Sequence, residues 1–456
     1  MHKVKTKKTK AKSVMEMAIV NPYAAGIDIS DKEHVVAVPE GVTKERVKNF
    51  GTMTCDLLSI VEWLTKCEID TVAMESTGIY WKPLFSMLVQ NGFEVYLVNA
   101  EHVKNVTGRK TDESDAMWIQ RLHSCGLLRT SYLPDDEQEA LRTLVRYRRA
   151  LVQDMSRFVN RMQKSLELMN IKFHTLISDI TGKTGKAVVE AIIGGQREAE
   201  NFLPFIDRRV KADKETILKS LQGNYREEHL FTLKESYEMY KIYRQRIESS
   251  DREIEKKLQQ YEARQNEGTI EMKNNKNKTE RIKKEKDKNH PRFDVRAYLE
   301  KIHGVDVLNI YGLSETGGLE LLAETGTDLS KWKNENHFKS WLNLCPNNKI
   351  SGGKLISSKL LKKKPNPASL AFRQSANGVQ KSNHWLGDYF RRMKAKGGHK
   401  YAVIATAGKI ATIYYKMVRY KEDFKPMELE LYQQKYKQAK IAFLERKLLQ
   451  LKKEVA

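Results

Sequence analysis

Cysteine is nearly missing from this chain. The four present, Cys55, Cys67, Cys125 and Cys345, form no CxxC pair and no zinc-ligand spacing. That excludes a disulfide scaffold and a zinc module, and the four read as reduced core thiols of a cytosolic protein. Long apolar runs are missing too. No stretch approaches a membrane span, and the opening MHKVKTKKTKAK lacks the apolar core of a signal peptide. The expectation is a cytoplasmic protein with no membrane partner. Negative charge is also in deficit, with 58 Asp and Glu against 81 Lys and Arg, a formal net charge of +23. Such an excess favours a polyanionic partner, nucleic acid before membrane, the bland alternative being a merely soluble basic protein.

The 456 residues suffice for two or three domains with real cores. Residues 1–22 form a lysine-rich arm suited to a phosphate backbone. From residue 23 to 130 the pattern is strand-rich. AAGIDIS and EHVVAVP read as a β-hairpin turning at Lys32, Arg46–Phe50 as a third strand, and CDLLSIVEWL as an amphipathic helix. TVAME is a buried strand, TGIYWKPLFSMLVQNG a helix stopped by Gly92, FEVYLVN a strand, and Asp112 to Gly126 a helix. This order is that of a ribonuclease H-like mixed sheet, so the fold class is α/β plus α.

Residues 135–264 read as a coiled-coil or helical hairpin. Val145, Val152, Val159 and Leu166 interleave with Met155, Met162 and Met169 at 4-3 spacing, and Leu233, Tyr240, Ile247, Ile254 and Tyr261 mark a second helix. Arg142, Arg146, Arg148, Arg149, Arg157 and Arg161 decorate the first helix, as a solvated face or as backbone contacts to nucleic acid. Residues 265–292 have almost no apolar side chains and read as a mobile linker. Residues 293–423 open with KIHGVDVLNIYGLSETGGLELLAETG, two short helices around glycines in the manner of a helix-hairpin-helix, whose turn can present backbone N–H groups to phosphate. Residues 424–456 read as a charged helix, a candidate assembly seam.

Four carboxylates carry the chemistry: Asp28 in GIDIS, Glu75 in VAMESTGIYW, and Asp112 and Asp115 in KTDESDA. On the ribonuclease H-like reading Asp28 lies on the first strand, Glu75 ends the fourth, and the last two share a helix face at i, i+3. Acids from separate elements can hold divalent cations against a phosphate, since no single element surrounds two ions. The bland reading makes Asp112 an N-cap and Glu75 a strand end. Asp28 is the least bland, because an aspartate between core isoleucines needs a reason. In KISGGK, Ser351 stands on a flexible glycine loop between Lys349 and Lys354, where a small hydroxyl can approach phosphate closely. Without a metal or base it is an ordinary loop serine. Tyr80 and Trp81 suit base stacking or helix packing equally.

The run GIDIS…ESTGIYW…KTDESDA resembles the DEDD domain of the IS-one-ten type of insertion-sequence transposases, which also include the Piv DNA invertases. The likeness continues through LVRYRRALVQDMSRFVNRMQ to the SGGK segment. It implies a RuvC-like domain, a coiled-coil spacer and a mostly α-helical C-terminal transposase domain. It also implies Mg2+ held by Asp28, Glu75, Asp112 and Asp115, in a site of the two-metal type. Ser351 would attack the scissile phosphate, giving a phosphoserine link to DNA that a released hydroxyl later reseals. The implied partners are double-stranded DNA at the element ends and target, a structured non-coding guide RNA, and further copies of the chain as a dimer or tetramer.

The sequence departs from the family pattern around the serine. Asn343-Leu344-Cys345-Pro346 stands where the family often has Gly-Leu-x-Pro, and Lys363-Lys364-Pro365-Asn366 where it has Lys-x-Gly-Asn. Ser357 and Ser358 therefore stay alternatives to Ser351. Two other readings remain: a metal-dependent nuclease or junction resolvase using activated water, and a non-enzymatic nucleic-acid-binding protein whose acids are structural.

Overall fold

A computed structural model of the chain describes residues 17–76, 78–99, 114–266, 289–361 and 366–455. Its contacts separate two compact units, residues 1–133 and 134–456. The first is a mixed α/β sheet unit; the second is mostly helical.

In the first unit, β1 (Ala24–Ile29), β2 (His34–Ala37) and β3 (Val47–Phe50) form an antiparallel meander. Ser30 closes the first turn, its hydroxyl accepting from the Lys32 and Glu33 N–H groups. Then come α1 (Thr54–Lys66), β4 (Thr71–Glu75), α2 (Trp81–Gln90), β5 (Glu94–Val98) and α3 (Asp115–Ser124), the order expected from the sequence. The strands lie side by side as β3-β2-β1-β4-β5, with β4 parallel to both β1 and β5. Both faces are covered. Ala25, Ile27, Ile29, Val72 and Met74 pack against Ile60, Leu64, Leu84 and Leu88 of α1 and α2. Ala73 and Val98 meet Trp118, Ile119 and Leu122 of α3. The strands therefore read as nearly continuous apolar runs. The chain enters at Val20 and Asn21, whose N–H groups bond the Ser124 carbonyl; residues 1–16 of the basic arm lie outside the described residues.

The second unit is built on α4 (Asp136–Leu168) and α7 (Glu227–Asn266). They run antiparallel: Ser165 bonds Thr232 at 3.0 Å, the Phe158 and Tyr243 rings lie 5.4 Å apart, and Arg148 pairs with Asp251. The heptad positions supply the seam, with Met155, Met162, Leu166, Leu233, Tyr240 and Ile247 buried together. The pair is more than a plain hairpin. Between its arms α5 (Lys183–Ile193), α6 (Lys214–Leu221) and two 3-10 turns pack Val188, Ile192, Phe202 and Leu221 onto the end of the seam.

The remaining elements are α8 (Val295–His303), α9 (Glu315–Thr325), α10 (Glu335–Trp341), β6 (Asn347–Ser351), β7 (Lys354–Lys359), α11 (Pro367–Gly378), α12 (Trp385–Tyr420, broken at Gly397 and Gly398) and α13 (Leu429–Val455). The expected pair of helices around glycines is α8 and α9. Its glycines serve packing: a Cβ on Gly318 would lie 2.6 Å from Leu299 Cδ1, and one on Gly312 would lie 2.5 Å from the Ser375 carbonyl oxygen.

The arginines of α4 correct the sequence reading, since four of the six are paired with buried carboxylates of the same unit. Glu324 of α9, 2% exposed, accepts from Arg146 Nε at 2.7 Å, Arg146 Nη2 at 2.9 Å and Arg142 Nε at 3.1 Å. Arg149 reaches Glu320 at 3.4 Å, where burial raises the carboxyl above its ordinary range against the pull of Arg149. Arg148 is buried on Asp251 and donates to the Asn289 carbonyl at 2.8 Å. Arg157 and Arg161 are exposed, as Arg146 is in part. The C-terminal helices are thus fastened to the helix pair by ion pairs and not only tethered; most of the lysine-rich tract, residues 267–288, lies outside the described residues. Cys55 is a second correction, being exposed where a core thiol was expected.

Removing one partner of a buried ion pair leaves the other charge desolvated. Glu324→Ala is expected to cost about 2–3 kcal/mol of unfolding free energy, discounted because Arg146 is half in solvent. Arg157→Ala should change it by less than about 0.5 kcal/mol. Urea unfolding followed by circular dichroism checks both.

Candidate active site

Strand register brings two of the four acids together. Parallel pairing of β1 with β4 sets Gly26 beside Ala73 and Ile27 beside Met74, so the next rung sets Asp28 beside Glu75 at the strand ends. Neighbouring strands lie about 4.8 Å apart, and residues level on parallel strands point to one face. That face is the one α3 covers, because Ile27 and Met74, one residue earlier, face α1 and α2.

The direction of α3 brings its first residue to the same edge. Its last turn lies over the strand beginnings, where His123 Nε2 is 2.9 Å from Thr71 Oγ1, and Ala116 lies against Gly26. The N-terminal end, Asp115, therefore faces the end of the strands that carries Asp28 and Glu75. Ser114 caps the helix with extended backbone, its hydroxyl accepting from the Met117 N–H. Asp115 is thus the first residue of α3. Asp112 itself lies outside the described residues.

Two residues that sequence reasoning passed over hold this corner. A Cβ on Gly26 would fall 2.2 Å from Gln120 N and 2.4 Å from the Ala116 carbonyl oxygen, so only glycine lets α3 lie so close to β1. Gln120 is buried and donates from Nε2 to the Ala24 carbonyl and to Ser124 Oγ, while its Oε1 accepts from Arg46. The signal for Gly26 was the small run AAG immediately before the acid. His123 is a packing residue: burial lowers its pKa to about 4, keeping it neutral against the Tyr96 ring. Trp81 packs edge-on against Phe85, whereas Tyr80 is exposed in the turn after Glu75.

Carboxylate oxygens at this edge are the hard donors that magnesium or manganese takes. In kind the donor set fits such an ion. Among the described residues, however, no group of three His, Cys, Asp or Glu side chains closes tightly enough to cage one.

Ser351 belongs to the second unit, and its setting differs from the expected loop. It is the last residue of β6, opposite Lys354, in a hairpin whose turn is Gly352-Gly353. Both glycines have positive φ, 54° and 74°, as a two-residue type I′ turn requires. Pleating sorts the ribbon into two faces. Asn347, Lys349 and Ser351 share one with their partners Lys359, Ser357 and Lys354; Ile350 and Leu355 share the other, with Ile356 at a bulge. Ser351 is exposed and flanked by cations, whereas Ser358 falls on the apolar face.

Compared with known families, residues 25–171 match a family model described as a transposase, of the DEDD IS110 type. Residues 306–390 match the model of the IS116/IS110/IS902 transposase family. Together the two matches span about half of the chain. The first contains all four acids and the second contains Ser351, Ser357 and Ser358. No curated protein matches the chain.

Gly26→Ala tests the packing that aligns the acids. Two backbone atoms stand in the way of the new methyl, so α3 must move, at about 1–3 kcal/mol or more. The melting midpoint of the chain should fall by several degrees, while Gly408→Ala, inside α12 with no atom nearer than 3.7 Å to the new methyl, should not lower it.

Proposed function

The chain belongs to the IS110-type transposase family, enzymes that act on DNA in transposition and recombination, and from that premise we propose that it cuts and rejoins DNA through a covalent link between Ser351 and a DNA phosphate. The observation that supports this reading is the parallel register of β1 and β4, which pairs Ile27 with Met74 and whose next rung would set Asp28 beside Glu75, with α3 beginning at Asp115 and lying against Gly26. The strand order β3-β2-β1-β4-β5 supports a ribonuclease H-like, RuvC-like core around them. Asp28, Glu75, Asp112 and Asp115 would hold Mg2+, which supplies Lewis-acid polarisation of a phosphate when bound.

Ser351 is the nucleophile in this scheme. Its Oγ forms a bond to phosphorus as the bond to the leaving deoxyribose oxygen breaks, and the hydroxyl proton passes to solvent. The leaving oxygen takes up a proton as a free hydroxyl. After strand exchange a hydroxyl attacks the phosphoserine, forming the new DNA linkage and returning the serine. Lys349, Lys354 and Lys359 share the face of Ser351, where positive charge holds a phosphate and favours the alkoxide. Ser357 lies on that face too, but away from the glycine turn that lets a backbone approach DNA closely. The acids and the serine belong to different compact units, so catalysis needs both assembled on one DNA site. A net charge of +23 suits a guide RNA in addition to double-stranded DNA, and an oligomer to hold two duplexes. Tyr80, exposed just past Glu75, would stack on a base there.

The test is a denaturing gel of protein incubated with magnesium, end-labelled element-junction DNA and RNA transcribed from the element's flanking non-coding region. Wild type and Ser357→Ala should carry the label covalently, and Ser351→Ala and Asp28→Ala should not. Cleavage without any protein-bound label, unaffected by Ser351→Ala, would establish the metal-dependent nuclease reading instead.

A further inference from the structure

The hairpin that carries Ser351 is anchored at its root. Asn343, shortly before β6, donates from Nδ2 to the Leu361 carbonyl, shortly after β7, at 3.1 Å, and Arg373 of α11 donates to the Asn343 carbonyl at 3.4 Å. Asn343 is 5% exposed with a φ of 53°, so the chain turns sharply there on leaving α10. The Leu344 N–H bonds the Lys339 carbonyl at 2.9 Å, which holds the turn against α10. Beside this root lies a cavity of about 480 Å3. Residues 344–346 line it on the hairpin side. Opposite them is one face of α12, where Ala405, Gly408, Lys409, Thr412 and Lys416 follow one another at helical spacing.

The lining is cationic. Lys339, Lys409 and Lys416 stand around the cavity with a single carboxylate, Glu335. Among the described residues none of the three lysines is held in an ion pair. Ala405 and Gly408 are small, so an incoming group can come close to the helix. Tyr389 also lines the cavity, with the Lys409 ammonium 5.9 Å from its ring centroid, and burial raises its hydroxyl pKa so that it stays a donor. The Thr412 hydroxyl already donates to the Gly408 carbonyl at 3.0 Å, so recognition falls to the lysines. Ammonium groups converging on a polar cavity suit phosphate oxygens, to which lysine offers a point charge.

The cavity opens where the serine hairpin begins. In the register of β6 with β7, Lys359 stands opposite Asn347 at the root, and Lys349 and Lys354 follow toward the turn on the face of Ser351. Cations therefore run from the cavity along the hairpin to the serine, and a row of cations matches a row of phosphates better than a single anion. We propose that the cavity seats one or two backbone phosphates of the DNA duplex that Ser351 engages, as an anchor separate from the scissile phosphate. The choice of DNA rests on the proposed serine reaction. Ser351 lies five residues beyond Pro346, at most about 17 Å of extended chain, or about half a turn of duplex. A phosphate held at that distance fixes the register of the duplex on the hairpin without reading its sequence.

Fluorescence anisotropy of the full chain with an end-labelled element-junction duplex, titrated across about 0.1–0.4 M salt, tests the site. Replacing Lys339, Lys409 and Lys416 together by Gln should weaken binding at least about 10-fold and lower the salt slope by about 1 to 2. Replacing Lys437, Lys440 and Lys447 of α13 by Gln removes the same charge and should leave the slope unchanged. Ala405→Glu, which brings an anion to the cavity with every lysine in place, should also weaken binding. All of these positions are exposed or half-buried, so circular dichroism should show unchanged folding. An unchanged slope in the cavity variant, an equal fall in the α13 variant, or a loss confined to transcribed RNA with duplex binding intact would each overturn the site. A slope that depends on the cavity lysines, in a protein that forms no serine-linked DNA, would uphold the site and overturn the serine reading alone.

Discussion

Parallel strands cannot be joined by a tight turn, so a crossover must carry the chain from β1 to β4 before Asp28 can meet Glu75. Once that pairing forms, the rest of the acidic corner follows. Gly26 and Ala73 leave a shallow face, α3 lies down on it with Gln120 bonded to Ala24, and Asp115 arrives at the same end. Register is strongly specified because both faces are buried. A slip of one residue would turn Asp28 into the cluster of Ile60 and Leu64, where an unpaired carboxylate is costly.

The second unit depends on a different kind of constraint. Glu324 sits on a helix buried on nearly all sides, and two arginines of α4 reach it from one direction. A buried carboxylate needs its partners, so this contact sets how α9 lies on α4 more than it adds net stability. The hairpin bearing Ser351 is the opposite case. It projects from this fastened body with both faces exposed, so that Ser351 is open to a ligand from solvent.

Much of this was legible in the sequence. Alternation and apolar runs marked every strand of the first unit, and heptad spacing marked α4 and α7, because these are local, periodic consequences of burying one face. The transposase family was legible in GIDIS, ESTGIYW and KTDESDA taken together. Long-range pairing was not legible. Arg142 and Arg146 find Glu324 far along the chain, and no periodicity of α4 tells a cation facing water from one facing a buried glutamate. The ribbon around Ser351 was within reach: two glycines between short alternating segments signal a type I′ hairpin. Reading SGG as a loop hid the lysine face that the pleat assembles. α3 begins at Asp115 because Ser114 takes the N-cap, a competition between neighbouring polar residues that spacing alone does not resolve.

If one sheet edge gathers Asp28, Glu75 and Asp115 around a divalent ion, the chain should bind that ion by itself. Manganese titration of the full chain, with free ion read by electron paramagnetic resonance, tests it without needing DNA chemistry. Wild type should bind manganese and release it to magnesium, and Asp28→Asn and Glu75→Gln should each bind it far more weakly. Equal binding by wild type and both variants, or none by wild type, would contradict it.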